Sequence, residues 1–304
     1  MDQIGPIGQD IHDCAAMLEI ISGPDPKDPT CIIDKPFSIK TPKINGVKGT
    51  GPLAGCGAEP HGLKAGCGAE PHGLKIGIPR NYSKIDSEVK NSVQAAAKEL
   101  ESAGAQIEEF DIPMMEYMIP AYYIIAWAEA STNMSRYDGL KYGYRAEAET
   151  LSDVYKLSRS EGFGLEVKRQ IILGSFVLSS GFYDIYYKKA MQARALIKDA
   201  FSKLFEKYDM ILSPVTKTTA YKIGENISDP LKMYMDNIYT VSANLAGLPA
   251  VSLPCGLDKK GLPIGFQLIG NIFTEEKLIR AASIYQSRTD FHLQKPSFNV
   301  GGAI

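Results

Sequence analysis

Apolar residues first recur at helical spacing at Ile11, Ala15, Leu18 and Ile21, close to a 3.6-residue period. That spacing predicts a helix from Asp10 to Ser22, stopped by Gly23 and Pro24. A polar, proline-rich stretch then runs to Lys40 with no period. Leu74 to Ile78 alternates like a strand and meets Pro79. Ser87 to Ala103 places Val89, Val93, Ala96 and Leu100 on one face, with Gly104 where a C-terminal stop belongs. Gln106 to Ile112 reads as a second strand, closed by Pro113. Strand, helix and strand in close succession predict a parallel crossover unit.

Downstream, residues 116–144 and 161–207 read as largely helical. In the second stretch Phe182, Tyr186, Ala193, Leu196, Phe201 and Leu204 make an apolar stripe. Lys188, Lys189, Arg194 and Lys198 fall mostly off it. Residues 209–213 read as a short buried strand ending at Pro214. Two further short strands are expected at Ala250–Leu253 and Gly265–Ile269, then a helix from Thr274 to about Ser287. The pattern is that of an α/β fold, a sheet covered by helices.

One segment breaks the order. Residues 54–64 read AGCGAEPHGLK, and residues 65–75 repeat those eleven letters unchanged. The period is too short for the usual solenoid units, and two copies are too few to stack. Its glycines and prolines argue for a loop, so residues 48–75 are read as a Gly-rich insertion carrying a recent tandem duplication.

Composition narrows the class. The chain has 304 residues, 44% of them hydrophobic and 22% charged, which fits a globular protein and excludes disordered or fibrous ones. Lys and Arg total 33 against 35 Asp and Glu, so there is no basic excess of the kind that phosphate-binding surfaces carry. Five cysteines, an odd count, read as reduced thiols. The most apolar stretch, Tyr117–Ala130, contains Glu129 and falls short of the roughly 20 residues of a membrane span. Met1–Gly5 shows no secretory signal, and a cytoplasmic setting is expected.

Cys56, His61, Cys67 and His72 are nominally a tetrahedral zinc set, but their spacing is that of no known finger and they come from the duplicated loop. No metal is expected. His12 and His292 stand apart from any acid or cysteine cluster. Ser179-Ser180-Gly181 lies between helical segments with no base beside it, and helix breaking is its simpler role. Neither a Gly-x-Ser-x-Gly elbow nor a phosphate-cradling glycine loop is present. Taken residue by residue, the chain holds no complete catalytic constellation.

Several long words resemble the amidase signature family, and within it the glutaminase (A) subunits of glutamyl-tRNA(Gln)/aspartyl-tRNA(Asn) amidotransferases. They are DQIGPIGQDIHDCAAMLEIISGPDPKDPT (2–30), LKIGIPRNY (74–82), YYIIAWAEASTNMSRYDGLKYGYR (122–145) and SEGFGLEVKRQIILGSFVLSSGFYDIYYKKA (160–190). DPLKMYMDNIYTVSANLAGLPAVSLPCG (229–256) and GLPIGFQLIG (261–270) complete the set. The last two resemble amidases at large; the words at 122–145 and 160–190 are more particular to the glutaminase subunits. Nearly the whole chain outside the repeat is covered.

The resemblance implies a mixed sheet with helices on both faces, incomplete at its N-terminal side, with residues 1–304 the C-terminal portion of one amidase-signature domain. It also implies a glutaminase whose ammonia passes to the B subunit of the amidotransferase. That partner amidates misacylated tRNA with ATP and Mg²⁺, while the small C subunit braces the pair. No cofactor is expected in this chain. The family attacks with a serine, relays the proton through a second serine and a neutral lysine, and holds the oxyanion on backbone N–H groups. That Gly/Ser-rich signature and its lysine precede the DQIGPIGQD word in the family, so no catalytic residue is assigned here and the chain alone is expected to be inactive.

The portion that resembles the family would hold substrate. In the family a cation in the KRR-I word grips the α-carboxylate, and an acid before the I-[FY]-T word takes the α-amino group. Here those words read Lys168-Arg169-Gln170-Ile171 and Asp236-Asn237-Ile238-Tyr239-Thr240. Gln170 and Asn237, at the aligned positions, are neutral; Arg169 and Asp236 sit one step earlier, about 100° around a helix. Either the neighbours take over the grip or glutamine binding is weakened, and solvated helix charges are an equal alternative for Arg169 and Asp236. Tyr122 and Tyr123 resemble the family's paired tyrosines near the pocket, or are simply aromatic core. A general amidase of other specificity and a non-catalytic scaffold for the partner subunits are the competing readings.

Overall fold

The computed structural model describes residues 1–28, 31, 73–81, 85–224 and 230–295, with the backbone alone at 230–232. Most of the duplicated insertion, with Cys56, His61, Cys67 and His72, lies outside the described residues. Five strands form one sheet: β1 (Lys75–Pro79), β2 (Gln106–Phe110), β3 (Met210–Pro214), β4 (Ala250–Leu257) and β5 (Pro263–Gly270), in the order β2-β1-β3-β5-β4. β1 runs parallel to β2 and β3, while β5 is antiparallel to β3 and to β4, so the sheet is mixed as expected.

Helices cover both faces. Alternation along β3 sends Met210 and Leu212 to one side and Ile211 to the other, all of them fully buried. On the first side Met210, Leu212, Phe266 and Leu268 pack against α1 (Ile11–Ile21), α2 (Ser87–Ser102) and α9 (Glu275–Arg288). On the second, Ile211 and Ile269 pack against α3 (Met115–Met134), α6 (Lys188–Lys207) and α8 (Val241–Ala246). Two further helices, α4 (Leu151–Gly162) and α5 (Leu165–Leu178), extend the second layer outward, α5 lying along α3.

The first helix and the crossover unit fall where the sequence places them. Asp10 caps α1 through the Asp13 amide at 2.9 Å, and Asp86 caps α2 through the Glu88 amide at 2.7 Å. The 116–144 stretch differs: its helix stops at Met134, and turns follow until Thr150 caps α4. The expected stripe from Phe182 to Leu204 also breaks, because Tyr183–Tyr187 is a π turn and Leu196 is 57% exposed. A π turn inserts one extra residue, so Phe182 and Tyr186 leave the face on which Ala190, Ile197 and Phe201 are buried.

β4 is the outer strand on its side of the sheet and is longer than the sequence indicates. It runs through Pro254 with an irregularity between Pro254 and Gly256, a position an edge strand tolerates because proline has no amide to donate. Within that irregular stretch Cys255 is buried against the α9 layer, and burial pushes its thiol up to about 12. Burial alone raises Tyr239 to about 12 as well.

These raised values fix a pH dependence. The unfolded chain releases the Cys255 and tyrosine protons near their ordinary values of 9.0 and 10.0, whereas the folded chain keeps them to about 12. Stability is therefore fully present below pH 9 and is lost progressively as pH rises toward 12. Melting temperature measured from pH 8 to 11 should fall, and Cys255→Ala should flatten the early part of that fall. Peptide mapping after iodoacetamide should find Cys255 protected until the chain unfolds.

Candidate functional site

The site assembles where α5 meets α3 and a broken helical segment. That segment is α7 (Pro230–Asp236), a 3-10 turn at Asn237–Tyr239, and α8. α5 can approach α3 closely because it presents Gly174: a Cβ there would lie 2.0 Å from the Trp127 carbonyl oxygen and 2.5 Å from Ser131 Cβ. Next to it the Ser131 and Ser175 hydroxyls hydrogen-bond at 3.0 Å.

This contact opens onto a cavity of about 360 Å³, lined on α3 by Ile124 and Trp127, on α5 by Phe176 and Val177, and on α7 by Tyr234 and Met235. The Tyr123, Trp127 and Tyr234 rings pack together, with centroids 4.3 Å apart for Tyr123–Tyr234 and 5.9 Å for Trp127–Tyr234. Among the described residues the Trp127 indole N–H is a buried donor without an acceptor.

Two sets of hydrogen bonds, one at the Tyr234 hydroxyl and one at the Tyr234 carbonyl, flank this aromatic cluster. Arg169 pairs with Glu166, one helical turn earlier on α5. The Tyr234 hydroxyl donates to the other Glu166 oxygen at 2.6 Å, and the Gln170 amide approaches that oxygen at 3.5 Å. From the opposite side the Asn237 amide donates to the Tyr123 hydroxyl at 2.9 Å, and that hydroxyl reaches the Tyr234 carbonyl at 3.5 Å. The two sequence words flagged for substrate are thus joined across about two aromatic rings, through Glu166, Tyr234 and Tyr123.

The charges follow from this wiring. The Tyr234 hydroxyl and the Glu166 carboxylate keep the Arg169 guanidinium protonated. Tyr234 is raised above the ordinary phenol by burial and by Glu166, with Arg169 opposing. Tyr123 is raised by burial, against the hydrogen bond from Asn237. Both phenols are therefore neutral donors at physiological pH. Asp236 lies outside both sets and accepts from the Tyr221 hydroxyl. Tyr122 meets Tyr123 edge-on at 5.1 Å and packs toward the sheet, where burial and then the Asp2 and Glu129 carboxylates raise its phenol.

Arg169, Gln170 and Asn237 thus sit on one network, while Asp236 and Tyr122 flank it. Glu166, Tyr123 and Tyr234 complete it, and the Trp127 ring packs against it. Glu166 is visible in sequence only as a helical neighbour three and four residues before Arg169 and Gln170. Nothing in sequence pairs it with Tyr234, 68 residues away. No group of three or more His, Cys, Asp or Glu able to hold a metal occurs among the described residues. No described helix is long and apolar enough to cross a membrane.

A family model described as Amidase matches residues 1–279. The chain belongs to the amidase family. It is 53% identical over 289 residues to the glutamyl-tRNA(Gln) amidotransferase A subunit of Lachnospira eligens, covering 94% of this chain and 55% of the relative. The corresponding protein of Agathobacter rectalis is 52% identical over 289 residues, covering 94% and 53%. The solved structure of the Thermotoga maritima glutamyl-tRNA(Gln) amidotransferase A subunit superposes with a TM-score of 0.68 at 34% identity, over 94% of this chain and 53% of that one. A bacterial aryl acylamidase, 18% identical with a TM-score of 0.67 over 96% of this chain and 55% of its own, shares the fold. The chain spans about half the length of the curated relatives it matches. Amidase-family membership accounts for the mixed sheet with helices on both faces.

Proposed function

We propose that this chain is the substrate-holding portion of a glutamine-hydrolysing amidotransferase subunit, with the attacking serine, the bridging serine and the lysine supplied from outside it. In this reading residues 1–304 are the C-terminal portion of one amidase-signature domain, and the loop expected over residues 48–75 is an insertion that gives way to β1 at Lys75. Ammonia released from glutamine passes to the B subunit, which uses ATP and Mg²⁺ to amidate Glu-tRNA(Gln) or Asp-tRNA(Asn) in the cytoplasm, and the C subunit braces the assembly. The observation that carries the reading is the set of contacts that brings Gln170 and Arg169 on one side and Asn237 on the other to Tyr234, in a chain 53% identical to a glutamyl-tRNA(Gln) amidotransferase A subunit.

On that network Arg169 is the one fixed cation and Glu166 its anion. A zwitterionic amino acid needs one of each. Gln170 and Asn237 add neutral amides that donate to a carboxylate or accept from an ammonium group. The role of this portion is to bind and orient glutamine against a nucleophile placed opposite, which lowers the barrier by fixing geometry rather than by chemistry of its own.

Apolar side chains also stand uncovered. Ile4 and Ile7 are 93% and 100% exposed, and among the described residues β4 has no neighbour beyond β5. The isolated chain is expected to bind ANS and to release no ammonia from glutamine. Joined to the N-terminal half of the Lachnospira eligens protein, it should lose the ANS signal and gain glutamine-dependent ammonia release. Ammonia release by the isolated chain at the rate of the joined protein would defeat the proposal.

A scaffold reading has one observation in its favour: Arg169 and Asp236 are both engaged within their own chain, by Glu166 and Tyr221. A joined protein that binds the B and C subunits yet releases no ammonia would support it.

A further inference from the structure

Ser213 on β3 and Gln267 on β5 face each other in the sheet register, on the side that carries Ile211 and Ile269. The buried cluster on that side is apolar, so a buried amide there costs stability unless its hydrogen bonds are made. Gln267 is 2% exposed, and its amide nitrogen donates to the Ser213 hydroxyl at 2.9 Å and to the Tyr239 carbonyl at 2.7 Å, with the Pro214 carbonyl at 3.4 Å. Tyr239 ends the 3-10 turn that begins with Asn237.

We propose that Gln267 is a positioning residue for the candidate site: its bond to the Tyr239 carbonyl, braced by Ser213, holds the 3-10 turn so that Asn237 reaches the Tyr123 hydroxyl. The proposal rests on the reading of Asn237 and Tyr123 as site residues. The turn is short and follows a seven-residue helix, so little of its own hydrogen bonding fixes it. The amide from the sheet is the anchor that ties the turn to the rigid centre of the fold. Without it, Asn237 leaves Tyr123, and the Tyr234 ring on the preceding α7 shifts against Trp127.

The test reads the turn directly and needs no ligand, so a chain that failed to bind glutamine would not be mistaken for failure of this proposal. In ¹H–¹⁵N spectra of the full chain, the Asn237 side-chain amide is assigned as the pair lost in Asn237→Ala. Trp127, the single tryptophan, reports the aromatic cluster by its emission. Gln267→Met keeps the volume and removes the three donations. It is expected to move the Asn237 amide to its free position and to red-shift Trp127. Ser213→Ala should move the same signal in the same direction by less.

Leu268→Ala is the control, since Leu268 neighbours Gln267 but faces the α2 and α9 layer. It should lower the melting temperature and leave both signals in place. An unmoved Asn237 amide in folded Gln267→Met, or an equal shift in Leu268→Ala, overturns the proposal. If Gln267→Met does not fold, the presence or absence of the Ser213→Ala shift decides it.

Discussion

Gly174→Ala should destabilise the protein by about 3 kcal/mol, a large loss for adding one methyl group. A glycine-to-alanine change inside a helix ordinarily stabilises by roughly 0.5–1 kcal/mol, so the sign itself is diagnostic. Here the new Cβ would stand 2.0 Å from the backbone oxygen of Trp127. Backbone cannot rotate away as a side chain does, and α5 must lift off α3. The lift carries Glu166, Arg169 and Gln170 away from Tyr234 and breaks the 2.6 Å hydroxyl-to-carboxylate bond. Urea unfolding followed by circular dichroism measures the stability, and Trp127 emission in the folded baseline reports the displacement. A variant at least as stable as the parent would show that the two helices separate at no cost.

Phe266→Ala should cost about 4 kcal/mol by the usual scale for a buried phenylalanine. Phe266 is wholly buried at the centre of the α2 and α9 layer, with the Tyr285 ring edge-on at 4.8 Å. Its removal leaves a cavity walled by sheet and helix, neither free to collapse. Against a typical total of roughly 5–15 kcal/mol, such a loss takes a large share of the fold's stability. The site lies across the sheet, so Trp127 emission of the folded variant should match the parent. The two substitutions therefore separate damage to the site from damage to the core. A Phe266→Ala protein with a shifted Trp127 emission would contradict the division into two layers.

Much of the fold was legible because its elements are long and periodic. The α2 stripe of Val89, Val93, Ala96 and Leu100 is buried as spaced, and Pro79 closes β1, whereas β2 stops at Phe110, short of the expected Ile112. What escaped has physical causes. A π turn changes the period in mid-segment, so the stripe drawn from Phe182 into α6 joined two faces that do not coincide, and within α6 the buried face passes through Ile197 rather than Leu196. The helices at 230–236 and 241–246 are too short to show a period. β4 can continue through Pro254 because, among the described residues, it lies at the edge of the sheet.

The site was legible in part. Resemblance pointed to Arg169, Gln170, Asp236 and Asn237, and the fold draws three of the four onto one network. Glu166, Tyr234 and Trp127 were invisible as candidate site residues, since their place beside Arg169 and Asn237 lies in contacts between segments far apart in sequence. Arg169 is held by Glu166, and Asp236 by Tyr221.

The strand order has a consequence for how the chain reaches this state. β1 and β2 are joined through α2 by a short excursion, and β4 and β5 by a tight reversal, so each pair closes at small entropic expense. β3 alone bridges them, and its bond to β1 matches Ile76 with Met210 across a long intervening stretch of helices. The sheet is therefore expected to grow from its two rims and seal along its middle, with the arrival of β3 as the slowest productive event in refolding.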